Sequence, residues 1–341
     1  MMWVVIVGWH HLKKKISWFC FTLICMVVPF WGVAQESDPF LLRVVSYNVE
    51  NLFDPEDDAN TLDDEFTMSH YRRWSYTKYY HKIDQIAKVL VAVFPHAYPD
   101  IICLSEVENK KVLKDLIYHP LLKGARYEIV HRDGPDPRGI DVAILYRKTD
   151  IWLDSLAFVT IVSERRAYRE VVHPIFTWHH FTFHLWATHL PSNYSGVRKS
   201  QKERKECVTF LSSLMLQYQD SLCHIWLGDF NMEPESRNVT YVKNSLSSKG
   251  VLESLVKRDK THPGSLRYHE RWYLYDLIFL WKRLPDRISV EDSGIFNPPF
   301  VLTSETKYGG VKPFRTYIGY RYQKGGFSDH LPVYVTFRYT P

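Results

Sequence analysis

Apolar, β-branched runs alternate with stretches of helical periodicity along most of this chain. The runs at 41–49, 100–107, 127–132, 141–147, 181–190, 224–230, 273–280 and 329–337 have the length and residue types of strands. The segment 76–94 sets Ile83, Ile86, Ala87, Leu90 and Phe94 on one face, as an amphipathic helix does. Cys207, Phe210, Leu211, Leu214 and Tyr218 repeat the pattern within 197–220. No internal repeat, low-complexity linker or break in composition follows residue 35, so one domain over 35–341 is expected. Two stretches interrupt the alternation. The first, 54–75, starts acidic (Asp54, Glu56, Asp57, Asp58, Asp63, Asp64, Glu65) and turns basic and aromatic through His70, Tyr71, Arg72, Arg73 and Trp74. The second, 285–327, is rich in Pro, Gly, Tyr and Arg. Irregular stretches of this length inside a compact domain are often functional, so both are expected at the rim of a site.

The first 34 residues follow another pattern. His10-His11-Leu12-Lys13-Lys14-Lys15 is a basic start, Ile16 to Val33 is nearly unbroken apolar sequence, and Val33-Ala34-Gln35 has the residues of a cleavage site. This is the layout of a secretory signal, with an N-terminal membrane anchor as the alternative. Neither Cys20 nor Cys25 follows the small residue that a lipoprotein signal needs. A signal implies a periplasmic or extracellular protein with no stable membrane association once it is removed.

Charge and cysteines narrow the function classes. The chain carries 43 basic and 38 acidic residues; without the three lysines of the signal the balance is 40 to 38. A near-neutral surface argues against a dedicated polyanion binder, which usually carries a basic face. Cys103, Cys207 and Cys223 sit inside apolar patterns at irregular spacing, so buried thiols are expected and not a disulfide framework. There is no His-Glu-x-x-His, no zinc-type cysteine spacing and no GxxxxGK[ST] loop.

The candidate chemistry sits at the ends of the apolar runs: Ser46-Tyr47-Asn48, Leu104-Ser105-Glu106, Ala187-Thr188-His189, Gly228-Asp229-Phe230-Asn231 and Ser328-Asp329-His330-Leu331-Pro332. Each has a plain structural reading, as a surface carboxylate or a satisfied histidine. Together they are the groups from which a sheet protein builds a metal and phosphate site. Ser328-Asp329-His330 is not a hydrolase triad, because consecutive residues cannot chain Ser to His to Asp in space. With Tyr275-Asp276-Leu277-Ile278, the six segments come in the order seen in the endonuclease/exonuclease/phosphatase superfamily, and the resemblance spans Val44 to Phe337. It implies a four-layered α/β sandwich of two packed, mostly antiparallel sheets flanked by helices. It also implies hydrolysis of phosphate esters with a divalent cation, usually Mg²⁺, with Mn²⁺ able to substitute.

On that resemblance Glu106 is the first metal ligand, Asn48 offers an amide oxygen and Asp329 completes or supports the shell. Asp276 would hold the imidazole of His330 and raise its basicity, for activating water or meeting a phosphoryl oxygen. Asp229 and Asn231, two apart on an extended backbone, would point to the same side. The amide would donate to a phosphoryl oxygen, and the carboxylate would orient the water or handle the leaving-group proton. His189 is expected as a phosphate contact oriented by Asp141. Arg267 and Trp272, just before the Asp276 strand, are rim candidates, Trp272 equally as core. Arg198 opens a basic run on a helix face, which is either solvated or in touch with phosphate. The acids of 54–65 would repel a long polyanion if they faced the mouth. These features fit a phosphodiesterase or nuclease-like enzyme whose substrate includes nucleic acid among its candidates. The alternatives are a phosphomonoesterase, a lipid-headgroup phosphodiesterase, or a binding protein on the same scaffold.

Overall fold

The computed structural model describes residues 40–163, 167–193 and 196–341. The signal-like segment lies outside these residues. Among those described, no helix is long and apolar enough to cross a membrane.

In chain order the elements begin with β1 (Leu41–Leu52), α1 (Tyr76–Ala92), β2 (Ile101–Val107), α2 (Lys110–Ile117), β3 (Tyr127–Val130) and β4 (Asp141–Arg147). They continue with β5 (Trp152–Val159), β6 (Val171–Trp178), β7 (Phe181–His189), α3 (Val197–Met215), β8 (Cys223–Asp229), α4 (Arg237–Leu246) and β9 (Leu252–Ser254). The last part holds β10 (Leu266–Tyr268), β11 (Arg271–Tyr273), β12 (Asp276–Trp281), β13 (Ile288–Ile295), β14 (Leu302–Ser304), β15 (Val311–Pro313), β16 (Tyr317–Ile318), β17 (Arg321–Tyr322) and β18 (Val333–Tyr339).

Two six-stranded sheets form the body, in the orders β13-β18-β1-β2-β4-β3 and β5-β6-β7-β8-β12-β9. Each has one parallel pair, β1 with β2 and β7 with β8, and is otherwise antiparallel. The sheets meet through β1 and β2 against β8, β4 against β7, and β12 against β1 and β18. The central strands are apolar on both faces, β8 being buried along its whole length, because one face meets the other sheet and the other is covered. Cys103, Cys207 and Cys223 are all buried in this core. The expected sandwich is the observed one.

Several elements escape the apolar pattern. β5 is an edge strand with much of its length exposed, and β6 interrupts its apolar face with His173 and Pro174. The stretch 285–327 is not irregular throughout: β13 pairs with β18, and its Glu291 and Asp292 fall at a bulge on the sheet edge. In α3, Phe210 is exposed and not on the buried face, while Arg204 is buried. The Arg204 guanidinium donates to the Pro191 carbonyl at 2.7 Å and to Asn193 Oδ1 at 2.9 Å, and so satisfies the chain leaving β7.

Candidate active site

Register in the second sheet brings the first groups together. His189 closes β7 and lies beside Asp229, the last residue of β8; Asp229 lies opposite Asp276, the first residue of β12. Three candidate side chains thus stand in one row across three neighbouring strands. Close approach of β7 and β8 here requires Gly228, whose φ is 136° and where a Cβ would sit 1.8 Å from the Thr188 carbonyl oxygen.

The first sheet supplies the facing wall. β1 carries Asn48 and then bends, with Glu50 at φ 52° and Asn51 at φ 56°, and β2 turns at Glu106 with φ 66°. Three non-glycine residues in the left-handed region within one site are costly, and they aim donors inward. The Asn51 N–H donates to Glu106 Oε2 at 3.0 Å. Asn48 Nδ2 donates to Asp229 Oδ2 at 3.0 Å and more weakly to Glu106 Oε1 at 3.3 Å, tying the two walls together. Its Oδ1 accepts the Glu50 N–H at 3.0 Å. The Asn48 oxygen that the resemblance offers to a cation thus has one lone pair taken by a backbone donor, while the nitrogen faces the carboxylates.

His330 completes the constellation from the loop before β18. Its Nδ1 lies 2.7 Å from Asp276 Oδ2, and its Nε2 lies 3.9 Å from Asp229 Oδ2. The expected Asp276–His330 pair is present. Two serines that the sequence did not single out hold it in place. The hydroxyl of Ser265 donates to Asp276 Oδ2, and Ser328 Oγ accepts the His330 N–H at 3.1 Å while donating to the Asn48 carbonyl at 2.7 Å. An isolated bridge between Leu266 and His330 locks the two segments side by side. Ser265 lies two residues before the rim candidate Arg267, and the bridge that sets its segment beside His330 joins Leu266 to a residue 64 positions away, which no local pattern reveals.

Asp229 and Asn231 are not joined by the expected extended backbone. Asn231 has φ 51°, and Asp229 Oδ1 accepts its N–H at 2.8 Å, closing an Asx turn just after the strand. One amide N–H of Asn231 goes to the Leu190 carbonyl at 3.1 Å, leaving the second for a ligand. His189 Nε2 faces Asp229 Oδ2 at 3.7 Å and Glu106 Oε1 at 4.0 Å, and its Nδ1 is buried without a partner among the described residues.

Asp141 does not orient His189. It accepts the Gly134 N–H at 3.1 Å and lies 3.5 Å from His131 Nε2, because its place at the start of β4 turns it toward the 131–134 loop. Arg198 is exposed on the first turn of α3. Arg267 is spent on the Val311 carbonyl at 2.6 Å, and Trp272 is half-buried against the core with His262 at its edge. Asp329 is held by Arg315 at 3.1 Å, and the same guanidinium reaches Glu50 Oε1 at 2.9 Å. Beneath them the buried Lys82 donates to Thr316 Oγ1 and the Phe327 carbonyl. Of the acids in 54–65, Asp54 and Asp63 are buried, and Glu65 pairs with Arg72 at 2.8 Å.

Burial tunes these groups in opposite directions. Asp229 is pushed up to about 7, chiefly by desolvation; the His330 charge opposes this and Asp276 adds to it. Burial alone would lower His330, but the carboxylates of Asp276 and Asp229 outweigh it and raise its pKa well above the usual range. His189 goes the other way, lowered by desolvation and then by the nearby Arg169 and Arg138. Their surroundings thus favour the charged form of His330 and the neutral form of His189.

The donor set suits a hard divalent cation. Glu106 keeps part of its side chain open to solvent, and each of its oxygens accepts one N–H, leaving further lone pairs. Asp229, Asp276 and His330 also lie close enough to share an ion, but the Asp276–His330 bond already commits two of them to each other. His184, Asp220 and His224 form another such group. The imidazoles of His184 and His224 stack nearly parallel at 4.3 Å, which keeps their in-plane lone pairs from converging on one point.

The sequence profile of the Endonuclease/Exonuclease/phosphatase family matches residues 43–339. The chain belongs to this family. Its members hydrolyse phosphate esters and depend on divalent metal, and the endonuclease/exonuclease/phosphatase fold recurs in solved structures. A humanized D. rerio TDP2 is 15% identical with a TM-score of 0.56, covering 87% of this chain and 99% of that one. A mannosyl-6-phosphatase of Bacteroides thetaiotaomicron VPI-5482 is 19% identical with a TM-score of 0.55, covering 87% and 100%. The human Nocturnin catalytic domain with bound sulfate anion is 17% identical with a TM-score of 0.54, covering 89% and 95%. At these identities the likeness is one of fold. No curated protein matches the chain.

Proposed function

We propose that this protein is a secreted, metal-dependent phosphodiesterase with nuclease-like chemistry, which cleaves its substrate by in-line attack of water. The observation that carries the reading is the continuous chain of contacts from Asp276 through His330, Asp229 and Asn48 to Glu106. Mg²⁺ is the proposed ion, with Mn²⁺ as a substitute, which Glu106 would hold with Asp329 in support; when bound it would supply charge neutralisation for the phosphate and the leaving oxygen. Asp229, poised near neutrality, accepts the proton of the attacking water. His330, kept as an imidazolium, and the second amide N–H of Asn231 donate to phosphoryl oxygens as charge develops there. His189 contacts the phosphate in its neutral form. No covalent enzyme intermediate is needed. Residues 1–34 are proposed as the export signal, with 35–341 as the single domain acting in the periplasm or outside the cell.

A phosphomonoesterase is the second reading, favoured by the arginines of the cleft beside His189, since a monoester carries more charge than a diester. One similar fold is that of a mannosyl-6-phosphatase. Hydrolysis of bis-p-nitrophenyl phosphate against p-nitrophenyl phosphate, with DNA, RNA and sphingomyelin alongside, separates the readings. Activity should vanish in chelator and return with Mg²⁺ or Mn²⁺. Glu106→Gln should raise the metal requirement at least about tenfold while leaving the fold intact, since it removes charge but little volume. Full activity in excess chelator overturns the proposal.

A further inference from the structure

We propose that the cleft beside His189 binds a second anionic group of the substrate, a phosphate carried next to the scissile ester, through Arg72, Arg138, Arg169 and Arg315. The inference rests on the phosphoesterase reading and narrows its substrate to a compact molecule with more than one phosphate. The cleft measures about 800 Å³ and starts at Asn51 and His189, so it opens directly from the constellation. All four guanidiniums line it; among the described residues the lining carries two acids, Glu65 and Asp136, and Arg315 also pairs with Glu50 and Asp329. A chain with 43 basic and 38 acidic residues does not gather four arginines in one cleft by composition alone.

The partners of these arginines leave donors to spare. Arg169 Nε lies 2.7 Å from Asp136 Oδ2, and its Nη1 reaches weakly to the carbonyls of His189 and Leu190 at 3.5 and 3.4 Å. That fixes one guanidinium against the catalytic strand. Arg315 is clamped by Glu50 and Asp329 at the metal side and keeps about two-fifths of its side chain exposed. Arg72 is braced over the rings of Phe66 and Tyr317, both at 5.2 Å, and pairs with Glu65. Arg138, 43% exposed, has no closer carboxylate than Asp136 at 3.9 Å among the described residues. A guanidinium has five N–H donors, and none of these four uses them all. Planar forks held in place suit bidentate binding of phosphate, at lower entropic cost than mobile lysines.

Charge demand points the same way. A scissile diester carries one negative charge, which His330, Asn231 and the metal already meet. Arg138, whose nearest carboxylate is 3.9 Å away, and the spare donors of the other three are left for a further anion. A volume of about 800 Å³ is that of a small-molecule site and not of a track for a long polymer. A larger groove of about 970 Å³, around Asp220, Gly250 and Lys282, lies at the opposite end of the second sheet and contains none of the catalytic side chains.

The test is direct binding, separate from turnover. Inorganic phosphate and pyrophosphate are titrated into the full chain by calorimetry in chelator, so that no metal contributes. Pyrophosphate should bind at least about tenfold more tightly than phosphate. Arg138→Ala and Arg72→Gln should each weaken it by about 10- to 150-fold, the range of a charged hydrogen bond. Arg283→Gln, far out on the surface beside Asp286, makes the same change in net charge and should leave binding as it is. In turnover, a thymidine dinucleotide with a 5′-terminal phosphate should show a lower KM than one without it, and the two variants should bring the ratio toward one. Equal binding of the two anions, or equal loss in Arg283→Gln, overturns the subsite. Arginine-dependent pyrophosphate binding without hydrolysis of any ester would retain the anion site and remove the hydrolase reading. Hydrolysis without preference for the terminal phosphate would do the reverse.

Discussion

Acidification should destabilise this protein through two histidines remote from the proposed chemistry. His173, His184 and His224 stack with Trp186 across β6, β7 and β8. His173 Nε2 bonds His184 Nδ1 at 3.0 Å, His184 Nε2 bonds Asp220 at 3.0 Å, and Trp186 Nε1 donates to His224 Nδ1 at 3.0 Å. Burial, and then the neighbouring His184, lower His173 to about 3 and His224 to about 2. In the unfolded chain each imidazole takes up its proton near pH 6.5, while in the folded chain it stays neutral far below that. The unfolded state therefore binds the extra protons as pH falls from 7 to 5, and stability drops across that window. For a group titrating only in the unfolded state the loss is about 1.9 kcal/mol, or roughly 4 kcal/mol for the pair, against total stabilities of about 5–15 kcal/mol. Asp100 and Glu108, raised by burial to about 6 and about 8, pull the other way, so the pair is isolated by difference. His173→Gln keeps a nitrogen where Nε2 stood, and His224→Asn keeps an acceptor for Trp186; neither takes up a proton. Urea unfolding followed by tryptophan fluorescence at pH 7 and pH 5 measures both slopes. The double variant, although less stable at pH 7, should lose about 4 kcal/mol less than the parent between the two. Parallel losses would show that these imidazoles already carry protons in the folded state and would refute the reasoning.

His330→Ala and Asp276→Asn should each lower turnover, by about 10²–10⁴-fold for His330, and the double variant should be little worse than His330→Ala, because Asp276 acts through the imidazole at 2.7 Å. Additive losses in kcat would show that the two are not partners. The exported chain should begin at or near Gln35, read by N-terminal sequencing of the periplasmic fraction; an intact N-terminus in the membrane pellet would favour the anchor.

Periodicity determined the parts that repeat: the core strands β1, β2, β4, β7, β8 and β12 and the helices α1 and α3 follow from residue spacing, because each buries a continuous apolar face. Edge strands β5 and β13 were hidden, since an edge has only one neighbour and tolerates charge. Polar residues at the ends of apolar runs pointed to Glu106, His189, Asp229 and His330, and the family's motif order added Asp276. What they contact was a tertiary matter. The Glu50 N–H turned the Asn48 amide nitrogen toward the carboxylates, the 131–134 loop claimed Asp141, and Ser265 reached Asp276. The acidic stretch 54–65, which composition placed at a repulsive mouth, buries Asp54 and Asp63 and gives the cleft one carboxylate, Glu65, already paired with Arg72. Local sequence records what each residue prefers to be near. Only the folded chain, which satisfies all donors and charges at once, decides which partner each one takes.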